Sequence, residues 1–488
     1  MIILDTTLRE GEQTPNVSFT VDEKIRFAQM IDDFGVEMIE AGHPSVSNHV
    51  YEAVKKIASE NLNAEIVAHV RAVRSDIDTA LTCDVDRIVI FLATSQVHLD
   101  DKLHFTQEKA LEVITNEIEY AKEHGLKIRY TPEDSTRTGL DFLIKACNTA
   151  VSAGADRVSI ADTVGISTPS SFAHLISKVH ANVDTKIDVH CHNDFGLALA
   201  NALAAVEAGA DCVHATVNGL GERVGIVDLA SLSSAYSILL QNNTHYKLDK
   251  LKEISEYVER ISGVYASPNT PIVGDTAFTH KSGVHTDGIL KNPTTYEPFD
   301  PALIGRQRTI AVDKYTGKLA VERKLADYGI TGLSNQEILD IVYKIKDLGD
   351  RKKIILDGEI LEIYEQVTGR NGVIIPQQIE AIINLNLLSN VYTTNVVRKI
   401  NTMNEIERIY EIAGENDISV HVMVNNVGRL NSLIEEIRTI QGISSTNTRI
   451  ILKKLNRSQS INTNENQNLA TEVNQASLNF IPQNDVAD

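Results

Sequence analysis

Two stretches of the sequence carry side chains whose types and spacing suit metal binding. His190 and His192 lie two residues apart in an apolar run, so both imidazoles point to the same side of a strand. Glu10 follows another short apolar run at the start of the chain. Either stretch alone has an ordinary explanation, a packed histidine pair or a solvated loop. Together, two imidazoles and one carboxylate predict a three-ligand site for zinc, iron or manganese, with positions left open for a substrate.

Nearby arginines could bind an anionic substrate. Arg9 directly precedes Glu10, and Arg129 lies in a later apolar run. A guanidinium can grip a carboxylate through two parallel hydrogen bonds. Glu133 follows Arg129 by four residues, so a salt bridge between these two side chains is the alternative explanation for that pair.

A long stretch at 266–300, rich in Gly, Pro, Thr and His, contains His280, His285 and Tyr296. It is too long and aperiodic for an ordinary connection, which indicates a lid or a substrate arm. A lone loop histidine usually has no role. A histidine that a lid delivers, however, can act as a general base near neutral pH.

Eight short apolar runs must position these side chains. A helix-like stretch follows each run, and this alternation indicates a parallel sheet that is covered on both faces. Eight such units in about 240 residues predict a (β/α)8 barrel, whereas a doubly wound sheet, the alternative, favours a glycine-rich turn after its first strand. The runs span residues 1–7, 36–42, 64–70, 87–93, 127–133, 157–163, 186–192 and 212–218.

The barrel also predicts where the chemistry takes place, because active sites of this fold lie at the C-terminal ends of the strands. Polar residues crowd these ends, more densely than strand caps alone explain. We therefore expect one shared site there. Its further members, beyond those named above, are Asp5, Gln13, Glu40, His69, Thr94, Ser95, Gln96, Asp162, Thr163, Asn218, Glu222 and Arg223.

The pattern predicts several domains. A barrel domain is expected at 1–265, and lid and helical subdomains are expected at 266–370. Alternating strands and helices at 385–455 predict a ferredoxin-like α+β module. Within this module we expect a strand at 390–397 and a helix at 405–414.

Composition limits the possible functions. The chain has 488 residues, is 42% hydrophobic and carries a net charge of −20, which argues against a nucleic-acid-binding surface. We find no secretory signal and no apolar run near the ~20 residues of a membrane helix. The four cysteines lack disulfide or zinc-finger spacing, so we expect a cytoplasmic protein. The tail at 456–488 is dominated by Asn, Gln, Ser and Thr and is expected to be disordered.

Four motifs resemble the 2-isopropylmalate synthase and homocitrate synthase family: DTTLREGEQ, HCHNDFGLALAN, NGLGER and AFTHKSGVH. The resemblance covers about residues 1–370 and implies a dimeric (β/α)8 barrel that condenses acetyl-CoA with a 2-oxo acid in a metal-dependent Claisen reaction. Details resemble the homocitrate branch. Glu10 stands where isopropylmalate synthases typically have aspartate, and Ile226 stands where they commonly carry an asparagine ligand. The lid motif and the segments 68–71 and 129–135 also resemble that branch.

The resemblance implies a role for each candidate residue. A divalent metal ion (Mg²⁺, Mn²⁺ or Zn²⁺) would be held by Glu10, His190 and His192. The substrate 2-oxoglutarate would be bound by Arg9, Gln13, His69, Arg129 and Thr163. His285 would be the catalytic base, supported by Tyr296 and Glu133, and Arg9 would stabilise the developing alkoxide.

The C-terminal module resembles the effector-binding domain of the leucine-responsive regulators. This implies an amino-acid effector, and lysine is favoured because homocitrate begins a route to lysine. No helix-turn-helix accompanies the module, so DNA binding is not implied. Three other functions stay open at this point: isopropylmalate or citramalate synthesis from another 2-oxo acid, an acyl-CoA lyase on the same scaffold, and a non-catalytic amino-acid sensor.

Overall fold

The computed structural model describes most of the chain, which forms two units, Met1–Val373 and Ile374–Asp488. The residues outside the description are 243, 282, 352–354, 356, 371–378, 389–390, 404, 413, 415, 425–426 and 452–488, together with the side chains of 357, 427 and 428. The tail expected to be disordered, 456–488, thus lies outside the described residues. None of the described helices is long and apolar enough to cross a membrane.

Eight parallel strands close into a barrel in chain order, which confirms the predicted (β/α)8 fold. The strands are β1 (Ile2–Asp5), β2 (Met38–Gly42), β3 (Glu65–Arg71), β4 (Arg87–Ala93), β5 (Lys127–Glu133), β6 (Arg157–Asp162), β7 (Lys186–Cys191) and β8 (Cys212–Ala215). They read as apolar runs because side chains fill the interior while helices cover the outside. Strand β1 pairs with β8 to complete the ring.

Helices follow the strands around the barrel. They are α1 (Val21–Phe34), α2 (Asn48–Ser59), α3 (Arg74–Leu81), α4 (Gln96–His98), α5 (Gln107–Glu123), α6 (Leu140–Ala153), α7 (Pro169–Asn182), α8 (Ala198–Glu207), α9 (Leu229–Ser234) and α10 (Leu251–Ser262). Helix α1 begins at a capping box between Thr20 and Glu23 and ends at Gly35, whose φ is +107°. Its residues Phe27 and Ile31, four apart on one face, are fully buried.

The segment after the barrel forms the lid and helical subdomains. Strands β9 (Thr279–His280) and β10 (Thr309–Ile310) pair in parallel, and α11 (Gly283–Lys291) lies between them in the chain. Helices α12 (Lys318–Asp327), α13 (Asn335–Arg351) and α14 (Asp357–Thr368) follow and share an apolar core of their own. Because barrel and lid belong to one unit, the domain boundary at 265 stays a prediction.

The C-terminal unit has the βαββαβ order and the antiparallel sheet β12–β13–β11–β14 of a ferredoxin-like module, as predicted. Its elements are β11 (Ile379–Leu387), α15 (Thr393–Ile400), β12 (Ile406–Glu411), β13 (Ile418–Val424), α16 (Val427–Arg438) and β14 (Ile443–Ile450). Two local predictions were wrong, since 390–397 contributes to helix α15 and 405–414 contains strand β12. Val396 and Ile400 are buried four residues apart, so packing overrides the strand preference of the Thr- and Val-rich sequence.

A buried lysine joins helix α1 to the loop after β1. Lys24 is fully buried, and its Nζ donates to the backbone oxygen of Leu8 at 3.2 Å and to the carboxylate of Glu12. Glu12 in turn accepts a hydrogen bond from the backbone N–H of Phe19 at 3.0 Å. The loop that carries Arg9 and the first candidate metal ligand is therefore fixed by an ion pair that is largely removed from water.

Replacing Lys24 by Met is expected to lower the free energy of unfolding by about 3 kcal/mol, because Glu12 then keeps a part-buried charge without its partner. Chemical denaturation followed by circular dichroism measures the loss. The double variant Lys24→Met/Glu12→Gln should recover part of it, since neither charge remains. An unchanged denaturation midpoint in Lys24→Met would show that the pair does not hold the loop.

Candidate active site and metal centre

A cavity of about 350 Å³ opens at the C-terminal ends of the barrel strands. Most of the candidate residues from the sequence line it. They are Arg9, Glu10, Gln13, His69, Arg129, Glu133, Thr163, His190, His192, Glu222 and Arg223. Further lining residues are Phe91, Lys102, Thr131, Ser159, Ala161 and His214. The barrel therefore gathers side chains from distant parts of the chain into one polar space.

Glu10, His190 and His192 converge as candidate metal ligands. One ligand atom of each lies within 4.8 Å of the others, and all three residues are buried. Burial, together with the neighbouring His192, lowers the pKa of His190 well below its usual range, so this imidazole is neutral and has a lone pair to offer. Nδ1 of His192 is buried and has no hydrogen-bond partner within the described residues. This set of donors fits a divalent cation.

A fourth ligand is not offered where isopropylmalate synthases have one. Ile226 is buried, and its backbone pairs with that of His192 in an isolated β-bridge. Its apolar side chain supplies no donor atom for a metal. The three-ligand arrangement expected from the sequence is therefore consistent with the geometry, while the role of each residue stays a prediction.

Glycines let the loop after β8 approach Glu10. The backbone N–H of Glu222 donates to Oε1 of Glu10 at 2.9 Å. Gly221 has a φ of +154°, and a Cβ there would lie 2.9 Å from the same carboxylate oxygen. Gly225 has a φ of +81°, and a Cβ there would lie 1.7 Å from the backbone oxygen of Gly219. The loop can thus hold the carboxylate only because these two positions lack side chains.

The carboxylate of Glu40, fully buried on β2, holds the positively charged side chains of the site in place. It accepts hydrogen bonds from Nε of Arg9 at 2.7 Å and from Nη2 of Arg129 at 3.0 Å. Nδ1 of His69 lies 3.1 Å from it, and the hydroxyl of Thr6 also donates to it. Burial alone raises the pKa of Glu40. The charge of Arg9 and the other partners of Glu40 outweigh the effect of burial and hold that pKa well below its usual range. Glu40 therefore stays ionised and fixes both guanidiniums.

The salt bridge between Arg129 and Glu133 is not formed. Arg129 pairs instead with Glu40 and, at 3.5 Å from its Nη1, with Oδ2 of Asp188. Glu133 pairs with Nζ of Lys102 at 2.8 Å. Arg129 also lines the cavity, and its buried Nε has no hydrogen-bond partner within the described residues. The alternative explanation for Arg129 is therefore wrong.

The lid candidates do not line the cavity. His285 is exposed on α11, and Tyr296 is 42% exposed. Their rings stack on each other with centroids 4.0 Å apart. His280 lies elsewhere in the lid, where its Nε2 is 3.2 Å from the carboxylate of Glu297. The proposed catalytic roles of His285 and Tyr296 thus stay predictions.

Sequence reasoning missed several residues around the cavity. Asp188 precedes His190 by two residues on β7 and points to the same side, so extending the histidine pattern backwards would have found it. His214 occupies the corresponding interior of β8, with Nδ1 3.2 Å from Nδ1 of His190. Lys102 lies in the π-helical turn Leu99–Leu103 that follows α4, and no pattern in the sequence indicates that its side chain reaches the cavity.

Three family profiles match successive parts of the chain. The HMGL-like family matches residues 1–258, which is more than half of the chain. The homocitrate synthase post-HMGL domain-like family matches residues 272–353, and the Lrp/AsnC ligand binding domain matches residues 380–461. The first two matches correspond to the barrel and the lid, and the third corresponds to the C-terminal module.

Relatives match over almost the whole length. The homocitrate synthase of Sulfurisphaera tokodaii is 47% identical over 93% of this chain and 99% of its own length. That of Saccharolobus solfataricus is 48% identical with the same coverage. The crystal structure of the Bacillus subtilis HMG-CoA lyase has the same barrel fold, with a TM-score of 0.50 and 19% identity over 54% of this chain and 94% of its own. On this sequence identity, matched from the barrel through the C-terminal module, the chain belongs to the homocitrate synthase family of HMGL-like enzymes.

Proposed function

We propose that this enzyme condenses acetyl-CoA with 2-oxoglutarate to give homocitrate and CoA. The observation that carries the proposal is the convergence of Glu10, His190 and His192 in the same cavity as Arg9 and Arg129. A 2-oxo acid with a second carboxylate needs both features, a cation at its reacting end and a guanidinium for its far end. The name shared by the relatives supports the same reaction.

Different side chains would bind different parts of 2-oxoglutarate. Glu10, His190 and His192 would hold the divalent cation, and Thr163 and Gln13 add hydrogen-bonding groups along the cavity wall. When bound, the cation supplies Lewis-acid polarisation of the 2-oxo group. Arg129 and the neutral His69, whose pKa burial lowers to about 4, would bind the far carboxylate. Arg9 faces the charge that develops on the 2-oxo oxygen.

One carbon–carbon bond forms in the proposed reaction. A base removes a proton from the acetyl methyl group, and the resulting enolate carbon attacks the ketone carbon. The new alkoxide takes up a proton, and water then cleaves the thioester to release CoA. We assign the base to His285, with support from Tyr296 and Glu133. Because His285 is exposed on the lid, this assignment requires the lid to deliver it to the cavity.

Isopropylmalate or citramalate synthesis is the alternative within the same chemistry. Pyruvate and 2-oxoisovalerate lack a second carboxylate, so they would leave the buried Nε of Arg129, which has no hydrogen-bond partner within the described residues, without an acceptor. A site built to hydrogen-bond a substrate group disfavours substrates that lack that group. Thiol release measured with 2-oxoglutarate, pyruvate and 2-oxoisovalerate, with and without a chelator, tests the proposal. A preference for either shorter or branched substrate would refute it.

We further propose regulation through the C-terminal module, in a cytoplasmic homodimer or higher homo-oligomer. The match to the Lrp/AsnC ligand binding domain supports an amino-acid effector, and lysine is favoured as the end product of a route that begins with homocitrate. The effector would have to bind one arrangement of the enzyme more tightly than another, because equal affinity shifts no equilibrium.

Replacing His190 or His192 by Ala is expected to abolish thiol release and to lower metal content, because each change removes one of three protein ligands. Elemental analysis of the purified protein and the thiol assay measure both effects. His124→Ala is the matched control, since that exposed histidine directly follows helix α5 and does not line the cavity. Near-normal turnover with full metal content in either variant would show that the replaced histidine is not a metal ligand.

Replacing Arg129 by Ala is expected to lower kcat/KM for 2-oxoglutarate by a factor that corresponds to about 2–5 kcal/mol of lost transition-state stabilisation, because a buried substrate carboxylate loses its charged partner. Any turnover of pyruvate, which lacks that carboxylate, should fall much less. Comparing the two substrates separates lost recognition from general damage to the barrel. Equal losses for both substrates, or no loss at all, would exclude Arg129 from binding the far carboxylate.

Removing the chain after Val373, where the two units divide, is expected to leave turnover intact but to abolish inhibition by lysine. Steady-state rates with increasing lysine, for the full-length and the truncated protein, measure the effect. Equally strong inhibition of both proteins would show that the module is not the sensor and that lysine acts at the barrel.

A further inference from the structure

Two buried polar residues beneath the metal ligands have no part in the reaction proposed above. Asp188 on β7 is 0% exposed and His214 on β8 is 1% exposed. Burying such groups is costly unless they are hydrogen-bonded. Both residues are hydrogen-bonded, and their contacts connect them to a candidate metal ligand.

The contacts form a chain from Asp188 to His190. Nδ1 of His214 lies 3.2 Å from Nδ1 of His190, and Nε2 of His214 lies 3.4 Å from Oδ2 of Asp188. The other oxygen of Asp188 accepts a hydrogen bond from Nε of Arg157 at 2.8 Å. Asp188 is thereby anchored on one side and directed towards His214 on the other.

Metal binding selects one tautomer for each of the two imidazoles in this series of contacts. Nε2 of His190 lies 4.0 Å from Oε2 of Glu10, so this nitrogen must be free of a proton to share a cation with that carboxylate. The proton of His190 then sits on Nδ1, which donates to the unprotonated Nδ1 of His214. His214 consequently carries its own proton on Nε2 and donates it to Asp188.

Arg129 favours the opposite tautomer. Its Nη1 lies 3.0 Å from Nε2 of His214 and would donate to that nitrogen if it carried no proton. The proton of His214 would then sit on Nδ1, and the proton of His190 would move to Nε2, where the cation should bind. The carboxylate of Asp188 opposes this, because it attracts the proton of His214 and also lies 3.5 Å from Nη1 of Arg129.

We propose, on the basis of the metal centre above, that His214 is a positioning residue that keeps His190 in the metal-binding tautomer, with Asp188 setting the tautomer of His214. A partner for the second nitrogen of a ligating histidine fixes the ring and contributes about 10–100-fold to metal affinity. Because His214 and Asp188 also contact Arg129, they connect the metal ligand to the group that would bind the far carboxylate of the substrate.

A cation held by Asp188, Cys212 and His214 themselves is the competing explanation, since these three buried residues also lie close together. The arginines around Asp188 argue against it. Arg157 and Arg129 both reach this carboxylate, at 2.6 Å and 3.5 Å. A cation at this position would have to enter beside two guanidiniums, at a high electrostatic cost.

The test measures the zinc affinity of the full-length protein by competition with a chromophoric chelator. His214→Leu removes the acceptor and is expected to weaken zinc binding about 10–100-fold, and Asp188→Asn about 10-fold. His214→Asn should stay within about 3-fold of the unaltered protein, because its amide oxygen can still accept from Nδ1 of His190. Cys212→Ala, next to His214 in the barrel interior, is the control and should change neither affinity nor stoichiometry.

Zinc affinities of His214→Leu and Asp188→Asn that equal that of the unaltered protein, while His190→Ala loses zinc, would overturn the positioning role and leave the metal centre standing. Failure of the unaltered protein to bind zinc would overturn the metal centre itself. Binding as weak in His214→Asn as in His214→Leu would assign the effect to packing, against the proposal. If Cys212→Ala bound one zinc ion fewer per chain than the unaltered protein, the competing site would be favoured. Should His214→Leu not fold, His214→Asn and Asp188→Asn decide the question.

Discussion

The arrangement of the site depends on one buried carboxylate. Glu40 is removed from water, and only strong donors can offset the several kcal/mol that such burial costs. Arg9 and Arg129 are the charged donors among its partners, and Glu40 in turn balances part of the charge of each guanidinium. The two guanidiniums are therefore held before any substrate arrives. Little reorganisation is then required when an anion enters, which is the condition under which fixed charges stabilise a reaction most.

The barrel and much of the site could be predicted because both follow from short-range patterns. Apolar runs alternating with helical stretches define the eight strands, and the spacing of two places His190 and His192 on one side. Once the strands are parallel, their C-terminal ends must lie at the same end of the barrel. Residues that follow the strands, such as Arg9 and Thr163, are therefore predicted to lie close together from the strand order alone. These inferences need only the period of each element and the direction of the strands.

The remainder could not be predicted because it depends on which neighbours meet in space. Glu40 stood among the strand-end residues, but nothing in the sequence shows that it pairs with both arginines. Lys102 reaches Glu133 from the π-helical turn after α4, a contact between segments that are distant in the sequence. In the C-terminal module, a Thr- and Val-rich segment became helix α15, because packing of Val396 and Ile400 outweighed local preference.

The proposed metal ligands lie on both sides of the seam where the barrel closes. Glu10 lies in the loop after the first strand, and its carboxylate accepts a hydrogen bond from the backbone N–H of Glu222 in the loop after the last strand. The two histidines lie at the C-terminal end of the seventh strand. The first and last strands pair with each other. An ion bound by these residues would link the two sides of the seam, and its binding energy would add to the stability of the closed ring. Because the two histidines follow Glu10 at a long distance in the sequence, the three residues can meet only after the seventh strand has been made, so an ion held by all three could not guide the folding of the earlier strands.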